Sequence, residues 1–308
     1  MYSLLKFQVT SKILAAEKVF AVMVKKKDRK RSSCIRMTKV WCNKHGMVTG
    51  AEFSNNMLAA STEFADQWRQ YPILDIVLTG LRHGSRIREF GLQHVIDEND
   101  AENHDANNLA LFREFTENLT SLGFRQDIGV NVILKIAVSI ILLFKSRESS
   151  KCDVVLLVNS IASNLEVDPQ ILYRSLTGNR INSTDSFSGQ MSFQENVNSM
   201  AKVLFTTMVA WTENFINAQL KLSMVAYGAD NYIVLVDSPG VSECVGEGTD
   251  FCRLLTNTFN ESIRLMIHKL VISAEEVDAR KERVKVFYPQ VSVGQLILLF
   301  KKKNPIDS

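Results

Sequence analysis

The fold of this chain depends most on the stretch YIVLVDSPG, from Tyr232 to Gly240. Its first five residues are apolar or aromatic and three of them are β-branched, a composition that favours a strand. An unbroken apolar run is typical of a strand buried on both faces, as in the centre of a parallel sheet. Asp237, Pro239 and Gly240 are turn-forming residues, so the strand must end here. The sequence therefore predicts a central strand over Tyr232–Asp237, followed by a turn.

A hairpin near Arg36–Phe53 is predicted to supply two further strands. Two short strand-like runs, Arg36–Cys42 and Met47–Phe53, enclose the four residues NKHG. Gly46 ends this connection, at a place where a hairpin needs a residue with positive φ.

Most of the remaining chain has apolar residues at helical spacing. Gly123 is positioned as a C-cap, and Asp168-Pro169 ends one helix and begins the next. Predicted helices cover Leu4–Val24, Leu109–Leu122, Gln126–Phe144, Val154–Leu165, Gln170–Leu176, Met191–Leu222 and Asp250–Val277. Together with the hairpin and the central strand, these helices predict an α/β fold that is dominated by helix.

The composition is that of a soluble globular protein. Of the 308 residues 46% are hydrophobic and 22% are charged, and the formal net charge of +3 does not indicate nucleic acid as a partner. The most apolar run, Val130–Phe144, is too short for a membrane span and contains Lys135, so we expect a buried helix and no membrane contact. Five scattered cysteines without a CxxC pair predict neither a zinc site nor a disulfide framework.

The residues alone do not form a recognisable catalytic set. The five histidines are dispersed, and the chain contains no GxSxG, HExxH, GxGxxG or GxxxxGK(S/T) sequence. Taken by itself, the sequence DSPG at Asp237–Gly240 indicates only a strand followed by a turn.

Several segments, in the same order along the chain, resemble the upper half of a myosin motor domain. They are Leu111–Phe124, Ile133–Ala137, Val167–Arg180, Ser199–Phe205 with Trp211–Asn217, and Ser292–Pro305. The residues that match the relay helix after switch II are Phe251, Leu254, Asn257, Asn260 and Glu261. The strand end VDSPG is similar to class XVIII myosins, whose switch II reads DTPG and which are regarded as very weak ATPases or none.

The resemblance implies that residues 1–308 form a partial, P-loop-NTPase-like myosin head, from switch I (about 28–38) through switch II (237–242) to the relay helix (about 250–277). It implies a nucleotide site that contains Ser32, Ser33, Asp237 and Gly240. ATP and Mg²⁺ would be the cofactors, and Ser33 and Asp237 would hold the metal ion.

Three residues depart from the family's pattern at this site. Cys34 stands in place of the switch I arginine, Arg36 in place of the switch I glycine, and Ser242 in place of the switch II glutamate. In the family, the arginine and the glutamate form an ion pair that closes the pocket around the γ-phosphate, and Cys34 and Ser242 cannot form it. We therefore expect ATP hydrolysis to be impaired or lost, as in a pseudo-ATPase, and assign no catalytic residue.

The resemblance also implies an actin filament and a myosin complex as partners, and a cytoplasmic, cytoskeletal location. The polar loop Gly178–Gln190 aligns with a loop that faces actin in the family, although an ordinary helix–helix connection explains it equally well. Its candidate actin contacts are Asn179, Arg180, Asn182 and Ser183.

Two other interpretations stay open, and no coiled coil is expected within the chain. One is a helical scaffold or interaction protein without nucleotide chemistry. The other is an incomplete gene model of an active myosin, whose phosphate loop would be encoded upstream of Met1.

Overall fold

Helices make up most of the described structure. The computed structural model describes residues 2–24, 34–56, 71–93, 106–147, 149, 151–178, 192–237, 250–267, 279 and 281–282. Its helices are α1 (Tyr2–Val24), α2 (Pro72–His83), α3 (Ala106–Ser121), α4 (Asn131–Ser146), α5 (Lys151–Leu165), α6 (Pro169–Thr177), α7 (Phe193–Tyr227) and α8 (Asp250–Ile267). Its strands are β1 (Ile35–Cys42), β2 (Val48–Asn56) and β3 (Asn231–Asp237). This content confirms the predicted helix-dominated α/β class.

The chain divides into two compact units, Met1–Glu243 and Cys244–Ser308. The first unit contains the sheet and the helices α1 to α7, and the second contains α8. The helix predicted over Asp250–Val277 begins at Asp250 as expected, and residues 268–277 lie outside the described part.

The predicted hairpin is confirmed. β1 and β2 pair antiparallel, with Ile35 opposite Asn56, and the register shifts between Trp41 and Cys42. β2 ends at Asn56, three residues beyond the predicted end at Phe53.

Asn43 and Gly46 hold the hairpin turn. The Oδ1 atom of Asn43 accepts the backbone N–H groups of His45 at 3.0 Å and Met47 at 3.1 Å. Gly46 has a φ of +73°, which costs a glycine little because it has no Cβ. Local turn chemistry therefore fixes the connection that the sequence predicts.

β3 lies at an edge of the described sheet and not at its centre. The strand order is β2-β1-β3, and β3 pairs antiparallel with β1. The prediction of a central, parallel-type strand at Tyr232–Asp237 is therefore wrong for the described chain. From Tyr232 to Val236 the side chains are 39% to 62% exposed. An apolar run indicates a high β propensity, but it does not distinguish a strand that is buried on both faces from one that is exposed to solvent.

α4 is the central helix of the core. All residues from Ala137 to Phe144 are at most 4% exposed, and the helix packs against α2, α5 and α7. Within the described chain, Gln126–Ser146 is long and apolar enough to cross a membrane, but 67% of this apolar stretch is buried inside the protein. The burial agrees with the core helix predicted at Val130–Phe144.

Capping residues set the boundaries of α6 and α7. Asp168 accepts two backbone N–H groups of α6 at 2.8 and 3.0 Å, and Pro169 occupies the first turn as predicted. Ser192 and Glu195 form a reciprocal capping box at the start of α7. Hydrogen bonds of the capping box therefore fix the N-terminus of α7.

Candidate functional site

The start of β1 and the end of β3 lie side by side. In the antiparallel register, Arg36 is opposite Asp237. The start of β1 and the end of β3 therefore lie at the same end of the sheet. Ser32, Ser33 and Gly240 lie outside the described residues, so of the four predicted nucleotide contacts Asp237 is the one whose surroundings can be described.

The Arg36 guanidinium lies between two carboxylates at this place. Its Nη2 atom is 3.1 Å from Oε2 of Glu17, on α1, and 3.8 Å from Oδ2 of Asp237. The Arg36 side chain is only 15% exposed, whereas that of Asp237 is 47% exposed. Glu17 also accepts a hydrogen bond of 2.8 Å from the hydroxyl of Thr38. One arginine thus joins the sheet to α1 and to the end of β3.

These contacts do not fit a magnesium ion at Asp237. Mg²⁺ requires close oxygen ligands in octahedral geometry, and the Asp237 carboxylate is engaged by a guanidinium that cannot lose its charge. Among the described residues, no group of three or more His, Cys, Asp and Glu side chains is arranged to hold a metal ion. The Arg36 guanidinium therefore competes with the expected Mg²⁺ ion for the Asp237 carboxylate.

Cys34, the residue in place of the family's arginine, is buried beside this cluster at 1% exposure. Burial raises the pKa of its thiol to about 12; Arg36 opposes this shift, and the carboxylates of Asp237 and Glu213 add to it. The nucleophilic form of cysteine is the thiolate. At neutral pH Cys34 is therefore a protonated, unreactive thiol, and it cannot supply the positive charge of an arginine.

Side chains of α7 cover the outer edge of β2. Glu213 accepts the backbone N–H of Asn55 at 2.8 Å and its side-chain amide at 2.7 Å. Asn217, one turn later, forms two hydrogen bonds of 2.8 Å with the backbone of Phe53. These bonds hold β2, and through it β1, in a fixed position relative to the helical core.

The remaining predicted residues lie outside the described part of the chain. They are the candidate actin contacts Asn179, Arg180, Asn182 and Ser183, and Ser242 in the switch II-like segment.

Sequence reasoning missed the parts played by Glu17 and Arg36. Glu17 is one of several charged residues on α1, and its contact with β1 has no local sequence signal. The role of Arg36 could have been predicted, because the resemblance places a glycine at this position. A charged side chain in the same place needs a partner of opposite charge.

A separate groove lies between α5 and α6. It has a volume of about 390 Å³ and is lined by Val155, Val158, Asn159, Pro169, Gln170, Tyr173 and Arg174. Ile171 is 65% exposed and Leu156 is 50% exposed on the same two helices. α6, which forms one side of this groove, ends at Thr177, directly before the predicted actin-facing loop Gly178–Gln190.

Comparison with known proteins does not assign the chain to a family: no family model and no curated protein matches it.

Proposed function

We propose that this chain is a divergent, myosin-motor-like protein of the cytoplasmic cytoskeleton that associates with actin filaments and does not turn over ATP. The observation that carries the proposal is the pairing of Arg36 with Asp237 across β1 and β3. In the myosin resemblance, switch I (about 28–38) includes the start of β1, switch II (237–242) begins at the end of β3, and both flank one phosphate site. The antiparallel pairing supports that arrangement, since it brings the start of β1 and the end of β3 to the same end of the sheet.

The chemistry of the same place supports the loss of hydrolysis. Phosphoryl transfer depends on positioned cations and hydrogen-bond donors around the transferred group. Cys34 is neutral and buried, and the Asp237 carboxylate is paired with Arg36. The described residues of the site therefore offer neither the switch I arginine nor an aspartate that is free to hold a metal ion.

The experiment is a phosphate-release assay and an actin co-sedimentation assay on the purified chain. We expect no measurable turnover of ATP with or without actin, since removing one well-placed stabilising donor typically lowers the rate about a hundredfold to a thousandfold. We expect the chain to pellet with filaments in the presence and absence of ATP. Arg180→Ala should weaken pelleting, while Arg125→Ala, in an exposed surface pair with Asp127, serves as the control.

Actin-stimulated hydrolysis that disappears in Asp237→Ala would refute the loss of activity. Failure to pellet would refute the actin association.

A helical scaffold without nucleotide chemistry is the second candidate function. It is favoured by the groove between α5 and α6, whose lining includes Val155 at 45% and Tyr173 at 37% exposure. Apolar and aromatic side chains exposed in a groove are typical of sites that bind another protein. A chain that fails to pellet with actin and also binds no nucleotide would favour this candidate.

A further inference from the structure

We propose that the Arg36 guanidinium is the built-in cation of the Asp237 site, in place of the magnesium ion that a myosin-like site would hold there. The proposal rests on the proposed function, because only the myosin resemblance implies a metal ion at Asp237. It goes beyond that function by assigning the place of the metal to a side chain of this protein. The Asp237 carboxylate is therefore neutralised by a protein side chain and does not require a divalent cation.

The position of Arg36 between two acidic side chains is the first support. Its Nη2 atom is within 4 Å of both Glu17 and Asp237, so one nitrogen contacts a carboxylate from α1 and a carboxylate from the end of β3. Two carboxylates that converge on one point repel each other unless a cation lies between them. Arg36 supplies that cation, and its charge is permanent because a guanidinium does not deprotonate in proteins.

The burial of the guanidinium is the second support. The side chain of Arg36 is 15% exposed, compared with 72% for Arg125 in its surface pair with Asp127. A permanent charge removed from water to this extent is energetically tolerated only where it is paired with an opposite charge. A divalent ion bound to Asp237 would lie within a few ångströms of this guanidinium and would be repelled by it. Arg36 and a metal ion therefore exclude each other at this place.

Metal rescue in a thermal melt of the full chain tests this exclusion. The wild-type melting temperature should not change with millimolar MgCl₂ or MnCl₂. Arg36→Gln should melt at a lower temperature, because Glu17 and Asp237 lose their shared cation. Either salt should raise the melting temperature of Arg36→Gln by several degrees, as a divalent ion enters between the two carboxylates.

Two further variants make the metal effect specific. Arg36→Gln combined with Asp237→Asn should lose the rescue, because one of the two metal-binding carboxylates is gone. Arg125→Gln removes an arginine from an exposed pair and should show no response to either salt. An Arg36→Gln protein that folds and does not respond to divalent ions would overturn the proposal.

Wild-type protein decides the question even if Arg36→Gln does not fold. Binding of Mn²⁺ can be followed by electron paramagnetic resonance in the wild type and in Asp237→Asn. We expect the wild type and Asp237→Asn to bind Mn²⁺ equally, because Asp237 holds no metal ion in the wild type. A Mn²⁺ site that is present in the wild type and absent from Asp237→Asn would overturn the proposal. Neither measurement uses actin or ATP, so failure of this inference is distinguishable from failure of the proposed function.

Discussion

The side chain of Asn217 forms the two backbone hydrogen bonds with Phe53 that a neighbouring strand would otherwise form. Its Nδ2 atom donates to the Phe53 carbonyl, and its Oδ1 atom accepts the Phe53 N–H, each at 2.8 Å. Glu213 accepts the N–H of Asn55 in the same way, two residues further along β2. Four residues of a helix advance about 6 Å and two residues of a strand about 6.6 Å, so the two spacings match.

Replacement of Asn217 tests this role directly. Asn217→Ala leaves the N–H and C=O of the buried residue Phe53 without partners, and such groups cost about 1–3 kcal/mol each. We expect the free energy of unfolding in urea to fall by about 2 kcal/mol or more. Asn214→Ala, on an exposed face of the same helix, is the control and should have little effect. Equal stability of the two variants would show that α7 does not hold the edge of β2.

Gly80 allows close packing between α2 and α3. A Cβ atom added at Gly80 would overlap the ring of Phe112, and Gly80 is itself buried. Gly80→Ala should therefore force the two helices apart and lower the free energy of unfolding by about 1–3 kcal/mol. Gly84→Ala, just after the same helix, is the comparison variant: Gly84 has a φ of −79° that alanine also adopts, and the added Cβ would lie 3.3 Å from the Gly80 carbonyl oxygen, a much smaller overlap than the one at Gly80. Chemical denaturation of both variants measures the difference.

Cys34 makes the fold sensitive to alkaline pH. Burial raises the pKa of its thiol from 9.0 to about 12 in the folded protein. Between these two values the unfolded chain loses the thiol proton and the folded chain keeps it, so stability falls as pH rises. The slope from this group is at most about 1.4 kcal/mol per pH unit.

Comparison with Cys34→Ala isolates this effect, because lysines and tyrosines also titrate above pH 9. The difference in unfolding free energy between wild type and Cys34→Ala should shrink as pH rises through this interval. A difference that stays constant would contradict the raised pKa. Below pH 9 both proteins should show the same pH dependence.

Local sequence signals predicted the elements well, because the atoms that decide them are close in sequence. Gly46 and Asn43 set the hairpin turn, and Asp168 with Pro169 sets the start of α6. α1 is one continuous helix that contains the predicted range Leu4–Val24. These features depend on contacts within a few residues, which the sequence displays directly.

The same local signals did not predict which distant segments of the chain contact each other. The neighbour of β3 is β1, nearly two hundred residues earlier, and nothing within Tyr232–Asp237 specifies that choice. The contact of Arg36 with Glu17 depends on how α1 packs against the sheet. The myosin resemblance implied that Asp237 shares a site with Ser32 and Ser33, which lie outside the described residues, but it did not identify β1 as the neighbour of β3. Elements were therefore predictable, while the edge position of β3 and the charge cluster at its end were not.

Within the described part of the chain, the outer edge of β2 is covered and the outer edge of β3 is not. Among the described residues, α7 side chains bond the outer edge of β2, and no comparable side chain is seen on the outer edge of β3. The side chains of Ile233 and Leu235 are 62% and 57% exposed on this strand. An exposed apolar strand at the edge of a sheet is a template for pairing with another chain. We therefore expect the isolated protein to self-associate, or to require a partner that covers this edge.

Size-exclusion chromatography of two lysine variants tests the self-association. Ile233→Lys places a charge on the exposed strand, as natural edge strands do, and should shift the protein towards the monomer. Val225→Lys, at a position 79% exposed on α7, adds the same charge elsewhere and should leave the wild-type elution unchanged. If charge alone improved solubility, both variants would behave alike, and the strand edge would not be responsible. A wild-type chain that elutes as a monomer at every concentration and melts in one sharp transition would show that the exposed edge of β3 is harmless in solution.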